Sequence, residues 1–253
     1  MIQLGAQDSQ FIYMENDNNL SNVVLANIYA PPKKNSHGSV FELVKARVAA
    51  RIDVNPVFTR KLVRVPMDLD YPYWAEDEFF DLDGHFYLHQ LPAPGDWLQL
   101  SDIMGKVHSR PLDMKRPVWE LHVVENLAGV PHLPEGSFAV LVKMHHCAVD
   151  GAAMVNFFAC LSDIDENGTP VTDISAAKQQ AGVAPTSEQM WKRALVNNIQ
   201  APGRLAKTMV EAAPLIVPSL LKSLQQSNEE EEKAVVPQTR LDQDVSPWKI
   251  FDA

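Results

Sequence analysis

One run of residues has types and spacing suited to catalysis: Lys143-Met144-His145-His146-Cys147-Ala148-Val149-Asp150-Gly151, directly after the apolar segment Phe138 to Val142. Side chains alternate across a strand. Phe138, Val140, Val142, Met144 and His146 are therefore expected on one face, and Ala139, Leu141, Lys143 and His145 on the other. On this reading His146 points into the apolar interior and His145 does not. Burial disfavours the charged form of an imidazole. A neutral imidazole can take the proton of a hydroxyl, which is the work of a general base. Asp150 precedes a segment with helical character and is suited to cap it or to hold the loop through a salt bridge. Gly151 supplies a position without a side chain, where substrate or backbone can pass closely.

Other chemistries fit less well. His146 and Asp150 stand at the i, i+4 spacing of helical metal ligands, but the segment reads as strand, turn and helix start, and no third ligand follows. There is no Gly-x-Ser-x-Gly nucleophile elbow and no phosphate-cradling P-loop. Cys147 and Cys160 fit no metal or redox spacing, so a reduced, cytoplasmic setting is expected.

The elements that must hold this run follow from periodicity. Strands are expected over Val23–Ala30, Phe58–Val65, Val118–Val124 and Ser137–Met144. Phe41 to Ile52 has helical spacing, with Ser39 as N-cap and Glu42 completing a capping box. Trp97–His108 reads as a short helix, and Ala152–Leu161 as a helix apolar on all sides and therefore buried. Strands alternating with helices indicate a mixed α/β fold.

The composition changes after residue 163. Residues 164–186 read as a linker, followed by helical stretches at 188–200 and 204–226, the second kinked or split by Pro214 and Pro218. Their apolar positions suit packing on the core, on a partner, or on a lipid surface. Glu229 to Glu232 reads as a solvated loop. The division expected is 1–163 for the domain that carries the His-His run, 164–236 for linker and amphipathic helices, and 237–253 for the start of a further, truncated or missing half.

Composition narrows the function. With 46% hydrophobic and 21% charged residues, the 253-residue chain has material for a full core. A net charge of −10 with no dense Lys/Arg cluster argues against nucleic acid as a partner, and it leaves contact with lipid mainly apolar. No basic region with an apolar run opens the chain, and no apolar stretch reaches the length of a membrane span.

The run His145-His146-Cys147-Ala148-Val149-Asp150-Gly151 resembles the HHxxxDG motif of CoA-dependent acyltransferases, which nonribosomal-peptide condensation domains share. Arg110-Pro111-Leu112-Asp113-Met114-Lys115-Arg116-Pro117-Val118-Trp119-Glu120 resembles the PLDxxRPxWE segment of bacterial wax ester synthase/diacylglycerol acyltransferases, with Val118 where that family has Leu. Asp8 to Glu15 is similar to the family's opening D-x-x-F-x-x-x-E segment, and Gln238 to Phe251 to the stretch after its central linker. The likeness covers nearly the whole chain but about the first half of a full-length member.

The resemblance implies a chloramphenicol-acetyltransferase-like half with a mixed sheet flanked by helices. It implies transfer of a fatty acyl group from acyl-CoA to diacylglycerol or a long-chain alcohol. The site it implies is His146 as base with His145 and Asp150, and Gly151 leaving room for substrate. Neither metal nor cofactor is implied, since acyl-CoA is a co-substrate. The implied partners are a C-terminal half chain and a membrane or lipid-inclusion surface, with the protein cytoplasmic or peripheral to the inner membrane. A non-catalytic lipid-binding homologue and a condensation-type transferase are the alternatives.

Overall fold

The computed structural model describes residues 2–31, 39–149, 157, 161–163, 182–226, 246 and 248–251. Asp150, Gly151, most of the helix expected at Ala152–Leu161, most of the expected linker and the acidic run lie outside them. Elements in chain order are β1 (Ile2–Gln3), α1 (Ala6–Tyr13), β2 (Asn22–Tyr29), α2 (Val40–Ala49), β3 (Arg60–Val63), β4 (Tyr73–Glu76), β5 (Phe86–Gln90), α3 (Trp97–His108), β6 (Trp119–Leu127), β7 (Ser137–His145) and α4 (Ser187–Gln226).

Two compact units emerge. The first comprises Met1–Arg64, Tyr71–Pro185 and Val245–Ala253. Its main sheet has the order β2-β7-β6-β5. β7 runs antiparallel to both β2 and β6, and β5 lies parallel to β6, so the sheet is mixed. A three-stranded antiparallel sheet, β1-β4-β3, accompanies it. β7 reads as an almost continuous apolar run from Phe138 to Val142 because both of its faces are covered. On one face Val140, Val142 and Met144 join Leu121, Val123, Trp119 and Phe58 in a core closed by α2. On the other, Ala139, Leu141 and Val124 pack with Leu100, Met104 and Val107 of α3.

Local signals explain the helices. Ser39 accepts a hydrogen bond from the Glu42 N–H at 3.2 Å and starts α2. Asp96 and Gln99 form a reciprocal capping box at the start of α3. The strand expected at Phe58–Val65 is shorter, because Pro56–Phe58 forms a 3₁₀ turn first, with Asn55 accepting from the Val57 N–H.

The second unit comprises Val65–Asp70 and Thr186–Asp244. Thr186 and Gln189 exchange hydrogen bonds at the start of α4. Asn197 and Asn198 tie this helix to Asp70 and the Leu69 carbonyl. The break expected between residues 200 and 204 does not occur: α4 continues through Pro202, Pro214 and Pro218. It exposes Trp191, Leu195, Ile199, Val210 and Val217. No helix among the described residues is long and apolar enough to cross a membrane.

Candidate active site

β7 ends at His145, and the chain turns there, with the Ala148 N–H donating to the His145 carbonyl at 3.0 Å. Flanking segments hold both histidine backbones. The His145 N–H donates to Val118 O at 3.0 Å and the His146 N–H to Ser21 O at 2.8 Å. Alternation places the side chains as expected as far as Met144. It fails at residue 145, because the second face of the sheet is buried too: His145 is 0% exposed, whereas His146, just past the strand, is part-exposed.

The two rings differ in their bonds. His145 Nδ1 accepts the Cys147 N–H at 3.1 Å, which puts the ring proton on Nε2. That nitrogen faces Glu15 Oε2 at 3.5 Å. Burial lowers the pKa of His145 against the opposing pull of Glu15. Burial raises that of the Cys147 thiol, which makes it a packing residue. His146 Nδ1 is buried with no hydrogen-bond partner among the described residues. The ring of His146 lies flat on Phe11, with centroids 4.0 Å apart and planes at 18°.

Glu15 also binds the segment that holds His146. Its Oε1 accepts the Ser21 N–H at 3.0 Å, and the Ser21 hydroxyl donates to Phe11 O at 2.7 Å. Phe11 and Glu15 belong to the opening segment, and in the sequence they were read as part of its motif without a role at the site. Their only signal in the sequence was the spacing of that segment.

A second polar group lies on the α3 face of the same sheet. His89 Nε2 meets His122 Nδ1 at 3.0 Å, and His122 Nε2 meets Glu120 Oε2 at 3.3 Å. Lys143, its side chain wholly buried, lies 3.6 Å from the same carboxylate and donates to Arg110 O at 2.5 Å. Burial lowers the Lys143 pKa against the pull of Glu120. For Glu120, burial alone would raise the pKa, but the bond from His122 and the charge of Lys143 outweigh it and hold the carboxyl below its ordinary value. Trp119, next to this carboxylate, is core, with its indole N–H on Phe58 O at 3.0 Å. Arg116 lies across Gly84, where a Cβ would have no room.

An apolar cavity of about 560 Å³ lies between α2 and the sheet, lined in part by Val44, Leu121, Phe138, Val140 and Val142. It is on the face of β7 that leads to Met144. Val142 stands four residues before His146, about 13 Å along an extended chain. Arg47 and Arg51 both pair with Asp163 at its rim. Among the described residues no group of three or more His, Cys, Asp or Glu is placed to hold a metal ion.

Comparison with known proteins adds the family. The family model described as the wax ester synthase/diacylglycerol acyltransferase catalytic domain matches residues 4–251. A putative diacylglycerol O-acyltransferase of Mycobacterium tuberculosis (strain CDC 1551 / Oshkosh) is 28% identical over 224 residues, 88% of this chain and 42% of that protein. A probable diacylglycerol O-acyltransferase of the same organism, tgs1, is 34% identical over 54% of this chain and 28% of its own length. The chain thus spans less than half the length of these relatives.

Among solved structures, a wax ester synthase/diacylglycerol acyltransferase from Marinobacter aquaeolei VT8 shares the fold with a TM-score of 0.57 at 21% identity, covering 97% of this chain and 50% of that one. A starter condensation domain of rhizomide synthetase RzmA, in a mutant form in complex with C8-CoA, matches with a TM-score of 0.51 at 12% identity, over 84% of this chain and 46% of that one. With its mixed sheet, its motif run at the end of β7 and a family match across almost its full length, the chain belongs to the wax ester synthase/diacylglycerol acyltransferase catalytic domain family.

Proposed function

We propose that this chain carries the general base of an O-acyltransferase, and that His146 moves a proton from diacylglycerol or a long-chain alcohol during attack on acyl-CoA. The observation that carries this reading is the His146 ring: part-open at the end of a buried central strand, with Nδ1 buried and unpartnered. Nε2 is then the nitrogen that faces substrate. It takes the hydroxyl proton as the oxygen bonds to the thioester carbon. The C–S bond breaks, and the imidazolium returns the proton to the departing thiolate, giving free CoA and triacylglycerol or wax ester. Bringing both substrates to one base lowers the entropic barrier of a two-substrate step.

His145 serves a structural role here, because its ring is wholly buried and bonded into the turn. Asp150 and Gly151 keep the roles the family likeness gives them, one holding the loop and the other leaving room for substrate. The 560 Å³ cavity supports a fatty chain as part of the donor or acceptor, since its size is in the range of small-molecule sites and its lining is largely apolar. A C-terminal half chain completes the site, and a lipid surface presents the acceptor. The exposed apolar residues of α4 suit either contact.

The test is CoA release from palmitoyl-CoA with diacylglycerol or hexadecanol, by the chain alone and mixed with a C-terminal half. Release is expected, and His146→Ala is expected to abolish it. Full activity in His146→Ala refutes the assignment.

A further inference from the structure

We propose that Phe11 and Glu15 are positioning residues that hold His146 for proton transfer, Phe11 through the ring and Glu15 through the backbone. The inference rests on the reading of His146 as the base and adds what keeps that base in place.

A catalytic imidazole must be held within a narrow range of angles. Its χ2 torsion is soft, with broad minima, and does not hold the ring by itself. A carboxylate or carbonyl at the second ring nitrogen is the usual restraint. At His146 that restraint is missing, because Nδ1 is buried without a partner among the described residues. What the ring has is the flat face of Phe11, 4.0 Å between centroids and 18° between planes. Phe11 is itself held, since it packs against the cluster of Leu4, Leu62, Trp74, Val118 and Cys147. A stack of this kind resists tilting of the ring and screens one face from water while leaving the ring edge open.

The backbone route is separate. The His146 N–H is bonded to Ser21 O at 2.8 Å. Ser21 is fixed at its N–H by Glu15 Oε1 and at its hydroxyl by Phe11 O. The other Glu15 oxygen faces His145 Nε2 at 3.5 Å. One carboxylate therefore joins the segment that carries the His146 backbone to the neighbouring buried imidazole. Phe11 lies on α1 and Glu15 just past its end, so this short helix bears on the base from two directions.

The test uses Phe11→Leu, which keeps apolar bulk and loses the plane, and Phe11→Tyr, which keeps the plane. It adds Glu15→Ala, which frees Ser21, and Glu15→Gln, which retains an acceptor for its N–H. In the acyl-transfer assay Phe11→Leu and Glu15→Ala are expected to lower kcat by up to about 100-fold, the scale of a small misplacement at a reacting centre. KM for acyl-CoA should stay within about twofold, because neither residue is asked to bind substrate. Phe11→Tyr and Glu15→Gln should restore most of the rate.

Proton NMR of the folded chain gives a second readout that needs no activity. Stacking on Phe11 shifts the His146 ring protons upfield, and Phe11→Leu should return them towards the positions of an unstacked histidine. Unchanged kcat in both Phe11→Leu and Glu15→Ala, or His146 ring signals that do not respond to Phe11→Leu, overturns the proposal. If His146→Ala remains active while Phe11→Leu still moves the ring signals, the base assignment fails and the stack stands. The two ideas therefore fail separately.

Discussion

The same four-stranded sheet carries two pairs of histidines, built on different terms. In the pair His89 and His122, donors and acceptors follow one another in series: His89 to His122, His122 to Glu120, and Lys143 to both Glu120 and Arg110 O. Tyr87 stacks on His122 at 4.8 Å. In the pair His145 and His146, His146 Nδ1 is buried with no hydrogen-bond partner among the described residues, and buried His145 Nε2 has only the long approach of Glu15 Oε2 at 3.5 Å. Buried polar groups are ordinarily satisfied, and each exception asks for an explanation. A satisfied series is what a sheet needs to bury charge on a face shared with α3. Unsatisfied nitrogens beside a part-open ring are tolerated where the group has a further task. On the function proposed for His146, the contrast separates a pair kept for stability from a pair of which one ring is kept for chemistry, and it can be broken by experiment.

The largest difference is expected in rate. His146→Ala should lower acyl transfer by about 10²–10⁴-fold, the range for a general base, with a denaturation midpoint close to that of the parent. Lys143→Ala should do the reverse, leaving Glu120 part-buried without its cation at a cost of about 3–5 kcal/mol. Activity per folded molecule should be retained. Urea titration beside the CoA-release assay checks both, and a Lys143→Ala chain that is stable but inactive would erase the distinction.

A smaller effect follows from His122→Leu. It strands the His89 donor and removes a donor from Glu120, for about 1–3 kcal/mol. Combining it with Glu120→Gln tests the series directly. The two losses should add to more than the double variant shows, because both variants break one network. Simple additivity would mean the groups are neighbours without coupling.

The strong pair was legible in the sequence and the satisfied pair was not. The His-His run is contiguous and ends an apolar strand, so its place at the end of β7 followed from periodicity, as did β2, β6, α2 and the full extent of α3. His89, Glu120, His122 and Lys143 come from three strands. Only the cross-strand register, with Glu120 opposite Lys143 and Tyr87 opposite His122, brings them together. The burial of His145 was missed for a related reason. Alternation separates the two faces of a strand but does not say that both are covered, which at His145 depends on where Glu15 and the Cys147 turn land. α1, β1 and β4 were missed because pieces of two to eight residues carry too little periodicity to stand out. The continuity of α4 was missed because prolines within it were read as kinking or splitting it, whereas a long helix can continue beyond one lost hydrogen bond.

The finest distinction lies in pH. Burial is the largest cause of lowered pKa values at His85, His89, His108 and His145. In the unfolded chain these groups bind protons near about pH 6.5. In the folded chain they do so at lower pH. Between those values the unfolded state holds more protons, so stability falls as pH drops through about 6.5 and the loss levels off below the folded-state pKa values.

Glu120 adds a second window. Its folded-state pKa is depressed, so its contribution is present above the ordinary carboxyl range and is lost as pH falls through the folded value. Urea midpoints should therefore decline from pH 7.5 to 5.5 and decline again on approach to pH 4. Two variants assign the first step between the histidine pairs. His145→Asn keeps an acceptor for the Cys147 N–H and removes the titration. His89→Gln keeps a donor towards His122. The wholly buried His145 should flatten the pH 7.5 to 5.5 decline more than the half-buried His89, even though Glu15 partly offsets its shift. Equal flattening would mean that water reaches both rings alike, and the difference between a closed and an open histidine pair would then have to rest on hydrogen bonding alone.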